Sequence, residues 1–248
     1  MFEPNVQRVL DQIKPTDVVL DIGGWARPFN RANYVMDAEP YATRGYYGIP
    51  AQGGDTEHFT KHTWITRDIC DKEPFPFGDK ELDYVTCSHT LEDIRDPLYV
   101  CSEMIRVAKR GYIEIPSRLM ESCRGIEGDI VGWSHHRWLI DIVGDHISFL
   151  MKYHRIHLRK RYSFPESLAH SLSEEQKVQW LFWESDFAYS ERTIHGANNV
   201  AAELERYVAE THPYPAWWRG ADMAFGAAES FNLRVKGKLR RTLQGWDS

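Results

Sequence analysis

The run Val18-Val19-Leu20-Asp21-Ile22, closed by Gly23-Gly24, constrains this chain more than any other feature. A strand buried on both faces of a parallel sheet reads as a near-continuous apolar stretch. Its carboxyl end is where an open α/β sheet binds ligands. Glycines there permit a tight turn and let the backbone approach a bound molecule with no Cβ in the way. Asp21 adds an acceptor for a cation or for hydroxyl groups. Taken alone the pattern is weak, because the same residues also suit a tight turn that binds nothing.

The pattern recurs along the first half of the chain. Tyr34-Val35-Met36-Asp37 is a second apolar run ending in an acid, the usual partner of ribose hydroxyls in a mononucleotide half-fold. Trp64-Ile65-Thr66-Arg67-Asp68-Ile69 is a third. Leu82 to His89 reads as a fourth strand leaving into Ser88-His89, and Gly111-Tyr112-Ile113-Glu114-Ile115-Pro116 as a fifth. Between the last two, Leu91, Ile94, Leu98, Cys101, Ile105 and Ala108 recur at helical spacing, which predicts a helix over residues 91–109.

In this order the residues resemble the class I S-adenosylmethionine (SAM) dependent methyltransferases. The resemblance is carried by Asp21-Ile22-Gly23-Gly24, Asp37, Asp68-Ile69 ahead of Pro74-Phe75-Pro76-Phe77, and Ser88-His89-Thr90-Leu91-Glu92-Asp93. Glu103 to Gly111 completes it, leading into the fifth strand, so it spans roughly the first half of the chain. It implies an α/β, Rossmann-like class I methyltransferase fold: a mainly parallel seven-stranded sheet flanked by helices. It implies SAM as cofactor, with Asp21, Gly23 and Gly24 at the methionine part and Asp37 on the ribose. Asp68 and Ile69 would face the adenine, and Ser88 and His89 the sulfonium.

One departure stands out. The family's third glycine is missing, and Trp25-Ala26-Arg27-Pro28-Phe29-Asn30 occupies the place of a long first helix. About ten residues separate Gly24 from the next strand, whereas a full helical crossover needs a dozen or more. The helix is therefore expected to be short or absent, leaving an open pocket or one covered by Trp25. The same gap argues against a nicotinamide enzyme, which needs Gly-x-Gly-x-x-Gly leading into a helix.

At 248 residues the chain fits one large domain or a core with an appendage. We expect a SAM-binding core over 1–165 and a helical, Trp-rich cap, dimerisation or substrate region over 166–248, with one continuous domain as the alternative. A net charge of −6 offers no general attraction to phosphates or anionic membranes. No apolar run is long enough for a membrane span and none reads as a secretory leader, so a cytoplasmic location is the default. Cys70, Cys87, Cys101 and Cys123 lack metal-type spacing and read as free thiols.

In the second half, Trp138–Val143, Gly144-Asp145 and residues 146–152 read as a hairpin with a glycine turn, which could supply the last antiparallel strands of the sheet. Residues 174–189 and 197–209 read as helices. Six of the nine tryptophans fall at Trp133, Trp138, Trp180, Trp183, Trp217 and Trp218. Packing accounts for most such rings; the sharper reading is a cleft whose flat faces suit sugars, with Trp133, Trp138 and Trp217 as platforms. The basic tail from Arg234 to Arg241 reads as a solvated terminus, or as a contact for an acidic partner or RNA.

Methyl transfer is an in-line displacement, and a hydroxyl acceptor gains from a base that takes its proton. Ser134-His135-His136-Arg137 follows the fifth strand by about twenty residues and offers His136 and His135 as candidate bases. If that segment is extended, the two rings point to opposite faces and His136 shares its face with Trp138. His89 is a second candidate. Glu114 and Arg118, at and after the end of the fifth strand, reach the acceptor or pair with each other. A divalent metal such as magnesium has oxygens available at Glu114, Glu121, Asp129 and Asp141, but no spacing singles out a set, and none is predicted. The leading expectation is a SAM-dependent O-methyltransferase acting on a small polar acceptor, a sugar or oligosaccharide of polysaccharide precursor type. The shortened Gly-Gly-x-x-x-Pro-Phe turn is similar to that of methyltransferases in polysaccharide or glycolipid pathways. The alternatives are an RNA or protein methyltransferase and a non-catalytic methyltransferase-like binding subunit. The fourth strand ends in Ser-His-Thr-Leu, not the Asn/Asp-Pro-Pro-aromatic tetrad typical of amino-group methylation. Homodimerisation is left open.

Overall fold

The computed structural model describes residues 1–211 of the chain. The five apolar runs form five parallel strands: β1 (Val19–Ile22), β2 (Tyr34–Asp37), β3 (Trp64–Thr66), β4 (Tyr84–Ser88) and β5 (Arg110–Pro116). Their spatial order is β3-β2-β1-β4-β5, so the strand order reverses between β1 and β4. At such a switch point neighbouring connections leave to opposite sides of the sheet and open a crevice beyond the strand ends. This is the Rossmann-like arrangement that the resemblance implies.

Two helices flank the sheet on opposite faces. α1 (Glu3–Gln12) precedes β1 and buries Val6 and Val9 in the cluster of Val19, Val35, Tyr84 and Tyr112. α2 (Pro97–Val107) buries Val100, Cys101, Met104 and Val107 against Leu20, Ile22, Val85, Cys87 and Ile113. The helix expected from residue 91 starts six residues later. Asp96 Oδ1 accepts from Tyr99 N at 2.9 Å, with Pro97 in the first helical position. A capping acid followed by proline fixes a helix start, and proline disfavours helical backbone in the residue before it.

As expected, residues 23–33 between β1 and β2 contain no helix. The longer link from β2 to β3 has only a 3-10 turn at Tyr41–Thr43. Aromatic rings replace the missing helices on this face: Phe29 and Phe59 are sealed from solvent, and Tyr41 and Trp64 pack edge-on.

The second half departs from expectation in three respects. First, the hairpin β6 (Trp138–Val143) and β7 (His146–Met151), turning at Gly144, does not join the main sheet. With β9 (Ala188–Glu191) it makes a separate three-stranded sheet, laid on the face that carries α2. Second, residues 174–189 are not a helix. They contain β8 (Val178–Glu184), which runs antiparallel to β5 from Arg110↔Glu184 to Pro116↔Val178. Leu181 and Trp183 face the α2 side while Trp180 and Phe182 face α1. A strand buried on both faces has no polar alternation, so its apolar run imitates a helix. Third, the main sheet has six strands among the described residues, not seven.

β8 places residues beyond 165 inside the core sheet, so the described part of 166–211 is not a separate helical cap. It also contains α4 (Glu166–Ser171) and α5 (Ala197–Thr211), the latter at its expected position. All four cysteines are buried free thiols. No described helix is long and apolar enough to cross a membrane. Trp217, Trp218 and the basic tail lie outside the described residues.

Candidate functional site

Three groups of polar side chains lie at or just beyond the carboxyl ends of β1, β2, β4 and β5. The first is the turn after β1. Asp21 is buried, with Oδ1 accepting from Thr86 Oγ1 at 2.7 Å and Oδ2 from Phe29 N at 2.9 Å. Burial pushes its carboxyl up to about 6. Asp21 thus ties residues 23–29 down onto the sheet from beneath. Gly23 has φ +73°, and a Cβ there would overlap the Thr90 side chain; one at Gly24 would overlap Asp21 and Val35. The glycines are therefore required by the chain's own packing, whatever else they do.

Asp37 closes the same turn from the side. Its Oδ2 accepts from Trp25 N at 3.0 Å and its Oδ1 from Glu39 N at 2.9 Å, and burial raises its pKa. Trp25 stacks on Tyr46 with centroids 5.6 Å apart, and its indole N–H donates to Thr43. Tyr46 and Tyr47 are exposed. Asp68 sits further along the edge, accepting from Cys70 N at 2.8 Å and pairing with Arg95 at 2.6 Å in a half-exposed ion pair. Ile69 is buried.

The second group centres on Glu114, 1% exposed at the end of β5. Both of its oxygens accept from Phe2 N, at 2.9 and 2.8 Å, and one accepts from the Tyr112 hydroxyl. His89 Nε2 lies 3.2 Å from Oε1, and Ser88 Oγ donates to it at 3.4 Å. Burial would raise the Glu114 pKa, but the hydrogen bond from His89 leads the contacts that hold it down at about 2. His89 has left-handed backbone, φ +53°, and its Nδ1 is 3.4 Å from Glu92 Oε1. Desolvation by the surrounding protein works against its imidazolium, although the side chain is 44% exposed, yet bonding to Glu114 and Glu92 wins and raises it to about 9. A ring protonated through neutral pH is an electrostatic group, not a base, and it lies between Glu114 and Glu92, with the N-terminal ammonium 3.7 Å from Glu114 as a second cation. Glu114 does not pair with Arg118, and its union with the segment before α1 was not expected from the sequence. A contact across more than a hundred residues leaves no periodic signal.

The third group gathers residues from four segments. Asp93 comes from the turn after β4, Glu121 from α3 (Arg118–Glu121) after β5, His135 and His136 from the loop before β6, and Lys152 from just after β7. His136 Nδ1 is 2.7 Å from Glu121 Oε2, and its Nε2 is 3.6 Å from Asp93 Oδ1. Lys152 Nζ donates to Glu121 Oε1 at 2.5 Å and to the Trp133 carbonyl at 2.7 Å. Burial disfavours charge on His136, but Glu121 and the neighbouring acids outweigh it and raise its pKa. Asp93 is pushed up to about 6, by burial first and then by the charge of Glu92.

Several placements correct the sequence reading. Residues 134–137 are not a strand, so the two rings do not diverge: His135 and His136 meet edge to face with centroids 4.6 Å apart. The ring beside His136 is Trp133, at 4.8 Å, not Trp138. Trp138 is buried in the core, its indole N–H donating to the Ile94 carbonyl at 2.8 Å, so it offers no acceptor platform. Arg118 is buried too. It pairs with Asp141 at 2.6 Å and Glu203 at 3.2 Å and stacks over Tyr207, not with Glu114 and not at the rim. Trp217 lies outside the described residues. The four oxygens considered for magnesium are scattered: Glu114 binds Phe2, Glu121 binds His136, Asp129 pairs with Arg124 and Asp141 with Arg118.

Residues 52–113 match the methyltransferase domain family, a segment of about a quarter of the chain that runs through β3, β4 and α2 into β5. No curated protein matches the chain. Among solved structures, a putative methyltransferase from Bacillus halodurans is 20% identical with a TM-score of 0.33, covering 46% of this chain and 52% of that one. A SAM-dependent methyltransferase from Mesorhizobium loti is 18% identical with a TM-score of 0.33, covering 61% and 64%. A Haloferax volcanii complex of the Trm112 methyltransferase activator with a putative methyltransferase gives 19% and 0.33, over 45% and 50%. The chain spans about half the length of the first of these structures that it matches.

Proposed function

We propose that the protein is a SAM-dependent methyltransferase that transfers the methyl group to a hydroxyl of a small polar acceptor, of saccharide type. The observation that carries the reading is the pair of acids, Asp21 and Asp37, at the carboxyl ends of adjacent parallel strands beside the β1/β4 reversal. The methyltransferase-domain match over β3, β4 and α2 supports it.

In this reading Asp37 receives the ribose hydroxyls, with Gly23 and Gly24 giving backbone access to the methionine part. Asp68 and Ile69 border the adenine. Ser88 and His89 border the sulfonium. Asp21 acts one layer below, by fixing the turn. The acceptor oxygen attacks the methyl carbon in line as the carbon–sulfur bond breaks, giving a methyl ether, S-adenosylhomocysteine and one proton. Holding the two reactants aligned is the main contribution asked of the protein, worth as much as about 7–11 kcal/mol in well-oriented systems. His135 is the ring suited to take the proton: it is exposed, while His136 is held between Glu121 and Asp93. Trp133 is the remaining aromatic face beside these rings.

The test is an S-adenosylhomocysteine release assay on the full chain, with saccharides, amines, RNA and protein substrates as acceptors. Release with saccharides, abolished in His135→Ala with SAM affinity kept, is the expected result. Turnover on RNA or protein alone would overturn the acceptor class.

A further inference from the structure

The third side-chain group does more than balance charge. The Asp93, His135 and His136 donor atoms all lie within 4.8 Å of one another. At 3.6 Å, Asp93 Oδ1 and His136 Nε2 are too far apart for a good hydrogen bond. That spacing is close to the edge of a tetrahedron of donors, about 3.4 Å when each is 2.0–2.2 Å from an ion. Asp93 Oδ1 has no hydrogen-bond partner.

A further observation points to the same spot. The orientation of His136 is also prepared. A carboxylate accepts, so His136 Nδ1 donates to Glu121, and Nε2 is the ring atom that faces Asp93, with a lone pair for an ion once its proton is displaced. Lys152 holds Glu121 in place in turn. A ligating imidazole backed by a carboxylate that is itself anchored is the usual support around a protein-bound metal.

We propose that Asp93, His135 and His136 form a divalent transition-metal site, of zinc type, just beyond the carboxyl end of β4. Two imidazoles and one carboxylate suit zinc, cobalt or nickel; magnesium prefers an all-oxygen octahedron. Three protein ligands leave a fourth position, and the exposed His135 ring puts it within reach of solvent or of an acceptor hydroxyl. The inference concerns ion binding and does not depend on methyl transfer, though it draws on the same rings: with the ion bound, coordination takes the place of His135 as the means of activating a hydroxyl.

The experiment is competition between a chromophoric chelator and the untagged, metal-stripped full chain for zinc, with magnesium run in parallel. One zinc per chain is expected, with affinity falling at least about tenfold in His135→Ala and in Asp93→Asn. His170→Ala, on an exposed ring paired with Glu166, should leave affinity unchanged. His135 is exposed and makes no hydrogen bond among the described residues, so its variant should melt like the parent; a cobalt-loaded sample gives a second readout, a visible band that His135→Ala removes. No zinc retained, zinc binding indifferent to His135 and Asp93, or tight magnesium binding would each overturn the proposal. If zinc binding behaves as expected while no acceptor is methylated, only the functional reading fails.

Discussion

The turn after β1 and the histidine group beyond β4 both bury acids, but they hold them by different means. In the turn, Asp21 and Asp37 accept from backbone amides within a dozen residues, at Phe29, Trp25 and Glu39. In the histidine group, Glu121 is held by side chains 15 and 31 residues away, His136 and Lys152. The first arrangement is set chiefly by the local backbone, with the Thr86 hydroxyl on β4 as the distant partner of Asp21. The second exists only once the two sheets have packed together. The difference predicts that the turn fails through steric strain, and the histidine group through uncompensated charge.

The largest effect is expected at Glu121. Glu121→Ala leaves the Lys152 ammonium, 3% exposed, without its partner, and breaking a buried pair from one side costs about 3–5 kcal/mol. Urea unfolding should show this loss; a change under 1 kcal/mol would mean that the group is open to water. Next comes Gly23→Ala. It combines a left-handed backbone penalty of about 1–2 kcal/mol with overpacking of about 1–3 kcal/mol against Thr90. Gly45→Ala, at φ +67° with open space around it, should cost only the backbone part. Equal losses at the two glycines would remove the claim that Thr90 dictates Gly23.

A smaller effect separates packing from binding. Trp138→Phe gives up the hydrogen bond to Ile94, about 1 kcal/mol, and should leave acceptor KM unchanged. A raised KM would restore Trp138 as a substrate platform. The smallest effect is on pH dependence. Asp21 and Asp93 have folded-state pKa values of about 6, above their ordinary range, so the fold disfavours their ionised forms. The melting temperature should therefore rise as pH falls from 7 to 5. His89, raised to about 9, contributes fully below its ordinary value near 6.5, and its contribution is lost as pH climbs through 9. Asp21→Asn should flatten the slope between pH 5 and 7.

The same contrast explains what the sequence disclosed. Each of β1 to β5 writes its own apolar run and its own polar ending, and Asp96-Pro97 writes a helix start, so the first half of the fold was legible. The absence of a helix after Gly24 followed from chain length alone. β8 was misread because strands covered on both faces lose their alternation, as Trp180, Leu181, Phe182 and Trp183 do. The hairpin was recognised but not its partner: β9 pairs with β7 through a parallel register, His146↔Ala188, forty-two residues apart. For the candidate site, Asp21 and Asp37 were singled out because strand endings point to them. The meeting of Asp93 with His135 and His136 was not, since extended backbone was assumed where the chain is irregular and Glu121–Lys152 dictates the ring orientation.

The central claim is that the ends of β1 and β2 cradle an adenosyl ligand through Asp37. Calorimetric titration of the full chain with S-adenosylhomocysteine, beside the Asp37→Ala variant, tests it most directly. One site per chain, weakened at least about tenfold by the variant, is the predicted result, since losing a charged hydrogen bond to a ligand costs about 1.5–3 kcal/mol. No heat of binding, or binding that the variant leaves untouched, would contradict it.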